Sequence, residues 1–143
     1  MDRERRILMV DDKVTLCFAM REYFKLHNYQ VDCARTVDEA AVYLNTSHYA
    51  VIIADLDLSG THDLDGFKVI RMAREQRPDA RIIVLTAYGS AEVESAARDI
   101  GVNAFLHKPM PLADVAHIVF ELTGDSSEQP VGDEGAEGNE KTD

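Results

Sequence analysis

The stretch VIIADLDL, residues 51–58, decides how the rest of the chain is read. Val51, Ile52, Ile53 and Ala54 form an unbroken apolar run, the pattern of a strand buried on both faces at the centre of a parallel sheet. The run then ends in acid, with Asp55 and Asp57 two residues apart. A buried strand that delivers carboxylates to its end implies a partner for negative charge at that place.

Working outward, four more short β-rich runs appear at 6–10 (RILMV), 29–34 (YQVDCA), 80–86 (ARIIVLT) and 103–107 (NAFLH). Stretches with helical spacing lie between them. The first, 14–27, places Leu16, Cys17, Met20 and Phe24 on one side. The second starts at Thr36, where Thr36-Val37-Asp38-Glu39 fits a capping box, and turns Val37, Ala40, Ala41 and Leu44 inward. The third runs from Gly66 to Gln76 and stops before Pro78, because the residue preceding a proline disfavours helix. The fourth opens at Ser90, a good N-cap, and closes at Gly101. The fifth runs from Pro111 to Gly124, with Leu112, Val115, Ala116, Val119 and Leu122 on its core side. Ile118 and His117 fall off that face and are contact candidates. Five strands alternating with five helices through short loops predict a doubly wound α/β sandwich around a parallel sheet.

The 143 residues carry a net charge of −11, which argues against direct binding of nucleic acid or an anionic membrane. Residues 125–143 hold seven acids and one lysine, a net −6, and leave only −5 for residues 1–124. That segment has a single valine and is expected to be a disordered acidic tail or linker after a domain spanning 1–124. Cys17 and Cys33 have no C-x-x-C spacing and are read as small apolar core residues in a reducing compartment. The start, MDRERRILMV, is too short in apolar residues for a signal peptide or a membrane helix, which points to a cytoplasmic protein.

In a doubly wound sheet, ligands bind at the carboxyl ends of the strands, near the point where strand order reverses. Strand 1 ends in Asp11-Asp12, strand 3 in Asp55, strand 4 in Thr86-Ala87 and strand 5 in His107-Lys108-Pro109. One acid after a strand is ordinarily a turn cap. Three at the ends of two central strands repel one another and need cations. Lys108 is one; a hard divalent ion with oxygen ligands, Mg²⁺ above all, is the natural other.

With these residues in place, the sequence resembles the receiver domain of two-component response regulators. The resemblance covers about residues 5–123. It rests on Asp11-Asp12, Asp55, Thr86-Ala87 and Lys108-Pro109 occurring in the family's order and approximate spacing. It implies a flavodoxin-like (βα)5 sandwich with strand order 2-1-3-4-5 and a phosphorelay function. Asp55 is then the phospho-acceptor, supplied by a sensor histidine kinase, a phosphotransfer protein or a small donor such as acetyl phosphate. Asp12 is a direct Mg²⁺ ligand, Asp11 a ligand mainly through water, and the Asp57 backbone carbonyl completes the set, its side chain pointing outward. Thr86 and Lys108 contact the phosphoryl group. Phe105 is the aromatic switch that turns inward when Thr86 moves, and Lys108-Pro109 carries a cis bond. Tyr88 and Asp57 modulate hydrolysis, with Tyr88 favouring a long-lived phosphorylated state. The implied output is a partner-binding surface of helix 4, strand 5 and helix 5, serving a downstream protein or an output domain, in a monomer or weak homodimer.

The chain departs from the family pattern at 59–65, where the loop is longer, Ser59 replaces the usual proline, and His62, Asp63 and Asp65 enter what reads as a solvated loop. Two other functions compete. DLDLSGT looks like the D-x-D-G-T nucleophile motif of haloacid-dehalogenase-type Mg²⁺-dependent phosphohydrolases, but Leu58-Ser59 interrupt it and the acid pair comes first instead of last. A receiver that binds partners without phosphorylation is the third reading.

Overall fold

The computed structural model describes residues 5–60 and 64–125. Its five strands are β1 (Arg6–Val10), β2 (Gln30–Ala34), β3 (Val51–Ala54), β4 (Arg81–Thr86) and β5 (Ala104–His107). They alternate with helices α1 (Val14–Lys25), α2 (Val37–Thr46), α3 (Gly66–Gln76), α4 (Ala91–Ile100) and α5 (Leu112–Thr123). The strands pair in parallel in the order β2-β1-β3-β4-β5. β3 is buried along its whole length, as its apolar run requires; β1 and β4 are exposed only at their first residues, Arg6 and Arg81, while the edge strands β2 and β5 carry partly exposed residues along their length.

Side chains alternate between the two faces of the sheet and feed two cores. Leu8, Val10, Ile52, Ala54, Ile82 and Val84 face α2, α3 and α4. Ile7, Met9, Val51, Ile53, Ile83 and Leu85 face α1 and α5. Among the described residues no helix is long and apolar enough to cross a membrane.

The helix signals act locally as their chemistry dictates. The Thr36 hydroxyl accepts from the Glu39 amide and the Ser90 hydroxyl from the Val93 amide. Gly101 and Gly124 close α4 and α5 with positive φ. The capping box at Thr36 is shifted by one residue, because the Glu39 carboxylate accepts from the Arg35 amide instead of the cap's own. α1 is shorter than its spacing predicts: Asn28 takes a φ of 65° and turns the chain into β2 before another turn can form.

Other expectations need correction. Cys17 and Cys33 are not free core thiols: the structure joins them in a disulfide between α1 and β2, their Cα atoms 6.2 Å apart. Spacing in sequence hid the pair, since the first turns of α1 pack back onto β2 and bring residues 16 apart together. Ile118 is partly buried against the α1/α5 core and partly exposed, and Phe120, which the helical spacing left out, is buried there. His117 is exposed, 3.2 Å from the Glu121 carboxylate. The acidic tail beyond Asp125 lies outside the described residues.

Candidate functional site

Register alone brings the acids together. Val10 pairs with Ala54, so the next residues, Asp11 and Asp55, leave the sheet side by side, the Asp55 amide donating to the Val10 carbonyl at 2.9 Å. Thr86 pairs with His107, which places Lys108 just past the end of β4, its amide donating to the Thr86 carbonyl at 2.9 Å. The Lys108-Pro109 bond is cis.

Lys108 reaches across to both acids. Its Nζ donates to Asp11 Oδ2 at 2.7 Å and to Asp55 Oδ2 at 3.0 Å. Asp11 is 1 % exposed and Asp55 5 %, so neither carboxylate is hydrated enough to stand alone. Burial by itself pushes the Lys108 ammonium down. The hydrogen bonds and charges of Asp11 and Asp55 outweigh that, and its pKa ends above the ordinary lysine value. Asp11 Oδ1 also accepts from the Lys13 amide at 2.9 Å, and Asp55 Oδ1 from the Asp57 amide at 3.1 Å.

One ammonium against three acids leaves the cluster negative. Carboxylate oxygens of Asp11, Asp12 and Asp55 all lie within 4.8 Å of one another. Asp12 is exposed, so a bound ion would keep water on that side. Hard oxygen donors, a solvent-facing edge and a charge deficit fit a divalent cation of the Mg²⁺ type and would not suit a soft metal.

Asp57 corrects a further expectation. Its side chain does not point outward; the residue is 6 % exposed and Oδ1 accepts from the Gly60 amide at 3.2 Å. The turn at Gly60, with φ of 76°, needs an acceptor for that amide, and an Asp three residues earlier supplies it. The Thr86 hydroxyl is engaged within its own loop, accepting from the Tyr88 amide at 3.2 Å, while Tyr88 itself is exposed. Phe105 is buried in the core on the α2–α4 side of the sheet.

Two positioning residues escaped the sequence reading. Asp65 precedes α3, yet its carboxylate does not cap that helix; Oδ1 accepts from the Leu58 amide at 2.9 Å and pins the segment after Asp55. Gly66 opens α3, its amide donating to the Leu56 carbonyl at 2.8 Å. A Cβ there would run into the Asp55 carbonyl oxygen and come within 2.6 Å of Leu56 Cα. Only a bare α-carbon lets α3 start this close to the acceptor strand. The available signal was a glycine at a first helical position, where stronger helix formers are usual. Gly66→Ala is expected to cost about 3 kcal/mol, because the clash is with backbone and no rotamer relieves it. Urea unfolding checks it: the midpoint falls while the slope holds. Residues 61–63, with His62 and Asp63, lie outside the described residues.

The fold and this pocket together define a doubly wound domain that holds three clustered acids against a lysine ammonium at its switch point. The family follows from comparison: the model of the response regulator receiver domain matches residues 7–120, and the chain belongs to that family. The photosynthetic apparatus regulatory protein RegA of Cereibacter sphaeroides is 31% identical over 117 residues, covering 82% of this chain and 62% of its own. The transcriptional regulatory protein ResD of Bacillus subtilis is 33% identical over 112 residues, covering 78% of this chain and 45% of its own. The chain thus spans less than two thirds of either relative. A CheY-like receiver domain protein from Methanospirillum hungatei superposes with a TM-score of 0.78 at 25% identity, covering 87% of this chain and 98% of its own. A response regulator from Burkholderia pseudomallei, solved with a phosphorylated aspartic acid, calcium ion and citrate, gives 0.72 at 26% identity, covering 89% and 76%. Residues 7–120 of the chain are a two-component receiver domain.

Proposed function

We propose that this domain accepts a phosphoryl group on Asp55 from a histidine kinase or phosphotransfer protein in the cytoplasm, and that the phosphorylated form presents an altered surface to a downstream protein or an output domain. The observation that carries this reading is the Lys108 ammonium bonded at once to Asp11 and Asp55 beside an acid cluster that remains short of positive charge.

In the proposed reaction an Asp55 carboxylate oxygen attacks phosphorus, the bond from phosphorus to the donor's histidine nitrogen (or to acetate oxygen) breaks, and an acyl phosphate forms. Phosphoryl transfer of this kind depends on positioning and charge neutralisation more than on covalent chemistry. Asp11, Asp12, Asp55 and the Asp57 carbonyl are the residues that would hold Mg²⁺, which when bound offsets the charge of the incoming phosphoryl oxygens. Lys108 neutralises that charge from the opposite side. Thr86 turns its hydroxyl from its own loop to donate to a phosphoryl oxygen, and the end of β4 follows. The helix α4, β5 and α5 surface is the proposed output. Domain limits of 1–124, with the acidic segment beyond as linker or tail, belong to the same proposal.

The test is direct. Wild type is incubated with acetyl phosphate and Mg²⁺, its intact mass is taken, and the modified residue is mapped. One stoichiometric phosphoryl adduct on Asp55 is the expected result, lost when the metal is chelated. Continuous multiple-turnover release of phosphate would favour a phosphohydrolase, and no adduct a phosphorylation-independent module.

Tyr88, exposed two residues past Thr86, is the residue we propose screens the acyl phosphate from attacking water. Tyr88→Ala is expected to shorten the adduct's half-life roughly threefold, a barrier change of less than about 1 kcal/mol. Loss of adduct followed by mass over time reads this out, and an unchanged half-life removes the role.

A further inference from the structure

The Cys17–Cys33 bridge adjoins the backbone that carries the acid cluster. Cys33 pairs with Met9 in register, and the next step along the two strands sets Val10 beside Ala34. The Ala34 carbonyl then accepts from the Asp11 amide at 3.0 Å, so β2 holds the acid directly after Cys33. On the helix side, the Cys17 amide donates to the Lys13 carbonyl at 3.2 Å, and the Lys13 amide to Asp11 Oδ1 at 2.9 Å. The bridge therefore joins the two segments that hold Asp11 from either side, the end of β2 and the first turn of α1.

That first turn has a weak start of its own. Lys13 stands at the N-cap, where an ammonium offers no acceptor to the free amides and sits at the unfavourable end of the helix dipole. No acid follows within the turn. A covalent tie at Cys17 does there what a capping side chain does elsewhere. The tie is also placed to be made and broken. Cys17 is 5 % exposed, but Cys33 is partly exposed on β2, at the edge of the sheet. With the bond open, the Cys33 thiol has an acceptor at hand, because its Sγ lies 3.9 Å from the Cys17 carbonyl oxygen. In the cytoplasm proposed for this domain, small thiols keep most cysteines reduced, and a bridge there is ordinarily one that opens and closes.

We propose that Cys17 and Cys33 form a reversible redox site, exchanged by a low-molecular-weight disulfide of the glutathione type, whose state sets how firmly α1 holds Asp11 for phosphorylation. In the oxidising direction the Cys33 thiolate attacks one sulfur of the small disulfide and expels a thiolate, leaving a mixed disulfide on Cys33. The Cys17 thiolate then attacks the Cys33 sulfur, expels the second small thiolate and closes the bridge. Two protein thiols are oxidised, one small disulfide is reduced to two thiols, and the two protons pass to the thiolates released. The redox site stands apart from the proposed role of Asp55; only its effect on the phosphoryl adduct rests on that reading.

The full chain is equilibrated in buffers of fixed reduced-to-oxidised glutathione ratio, open thiols are trapped with iodoacetamide, and intact mass counts them. The population should pass from two trapped thiols to none as the oxidised form rises. Cys17→Ala, with only Cys33 left, should take up one glutathione, and Cys33→Ala none over the same time, because burial shields Cys17. A bridge that excess reduced glutathione never opens, thiols that never close, or a Cys17 that exchanges as readily as Cys33 would each overturn the site. Native hydrogen exchange of wild type, without metal or phosphodonor, reads the coupling. Opening the bridge should speed exchange of the Lys13 and Cys17 amides roughly fivefold, the scale of one lost helix cap. The His27 amide, bonded to the Phe24 carbonyl at the other end of α1, should change little. An equal change at both ends would mark general destabilisation and overturn the coupling. Adduct formation from acetyl phosphate and Mg²⁺ should slow roughly fivefold in the reduced protein, and Cys17→Ala should match the reduced rate at every glutathione ratio. Equal rates for the bridged and reduced protein would overturn the effect on phosphorylation. An Asp55 that accepts no phosphoryl group in either state defeats the functional proposal and leaves thiol counting and hydrogen exchange to decide this one.

Discussion

Asp55→Asn should abolish the phosphoryl adduct completely while leaving the domain folded. An amide has no anionic oxygen to attack phosphorus, so the loss is all or none. Folding survives because the change removes little. Asp55 Oδ2 accepts from Lys108 and Oδ1 from the Asp57 amide, and an Asn carbonyl keeps one of those two bonds. Losing the other costs about 1 kcal/mol. Against that, one of three mutually repelling carboxylates is neutralised, and Lys108 keeps its 2.7 Å bond to Asp11. The net change in stability at neutral pH is therefore about 1 kcal/mol or less in either direction. Intact mass after acetyl phosphate treatment measures the first outcome and urea unfolding the second. An adduct of wild-type stoichiometry on the Asn variant would place the acceptor elsewhere.

Lys108→Met should be the more damaging change. The Lys108 side chain is 18% exposed, so it works in a largely desolvated place between Asp11 and Asp55. Removing one partner of a buried ionic group leaves the others uncompensated, which costs about 3–5 kcal/mol. Replacing the ammonium by an apolar chain also takes away the donor proposed for the phosphoryl oxygens. Adduct formation should slow by roughly 10²–10³-fold, the scale of losing one preorganised charge donor. The pH dependence has a definite sign. Lys108 titrates higher in the folded protein than in the unfolded chain, because Asp11 and Asp55 outweigh its burial. Its contribution is therefore complete below the unfolded value of about 10.4 and fades only as pH rises through the folded one. The stability gap between wild type and Lys108→Met should be flat from neutral pH to about 10 and narrow beyond it. A gap that closes near neutrality would mean Lys108 is not paired as described.

The strand pattern was legible because parallel-sheet burial leaves an unmistakable mark: Ile7 to Val10, Val51 to Ala54 and Ile82 to Leu85 are apolar throughout, and no surface element is. The acid cluster was legible for a related reason. Once β1 and β3 are neighbours, their carboxyl ends must coincide, so Asp11 and Asp55 meet whatever the loops do. Helix ends were legible where one residue carries the signal, as at Ser90 and Gly101.

The misses share a different cause. Cys17 and Cys33 form a disulfide because a helix folds back onto an edge strand, a matter of packing that spacing does not encode. The inward turn of Asp57 depends on which amide lacks an acceptor, here Gly60. Gly66 and Gly89 look like ordinary loop glycines until the Asp55 and Leu56 backbone, or the Phe105 and His107 rings, are seen against them.

Residue order, then, carried the architecture and the chemical identity of the pocket, since hydrophobic periodicity and strand direction are local properties that add up along the chain. The side-chain orientations, the glycine-only approaches and the cysteine pairing were settled by folding alone. They depend on separations of a few ångströms between residues far apart in the chain, and close packing fixes those separations only when every element is in place.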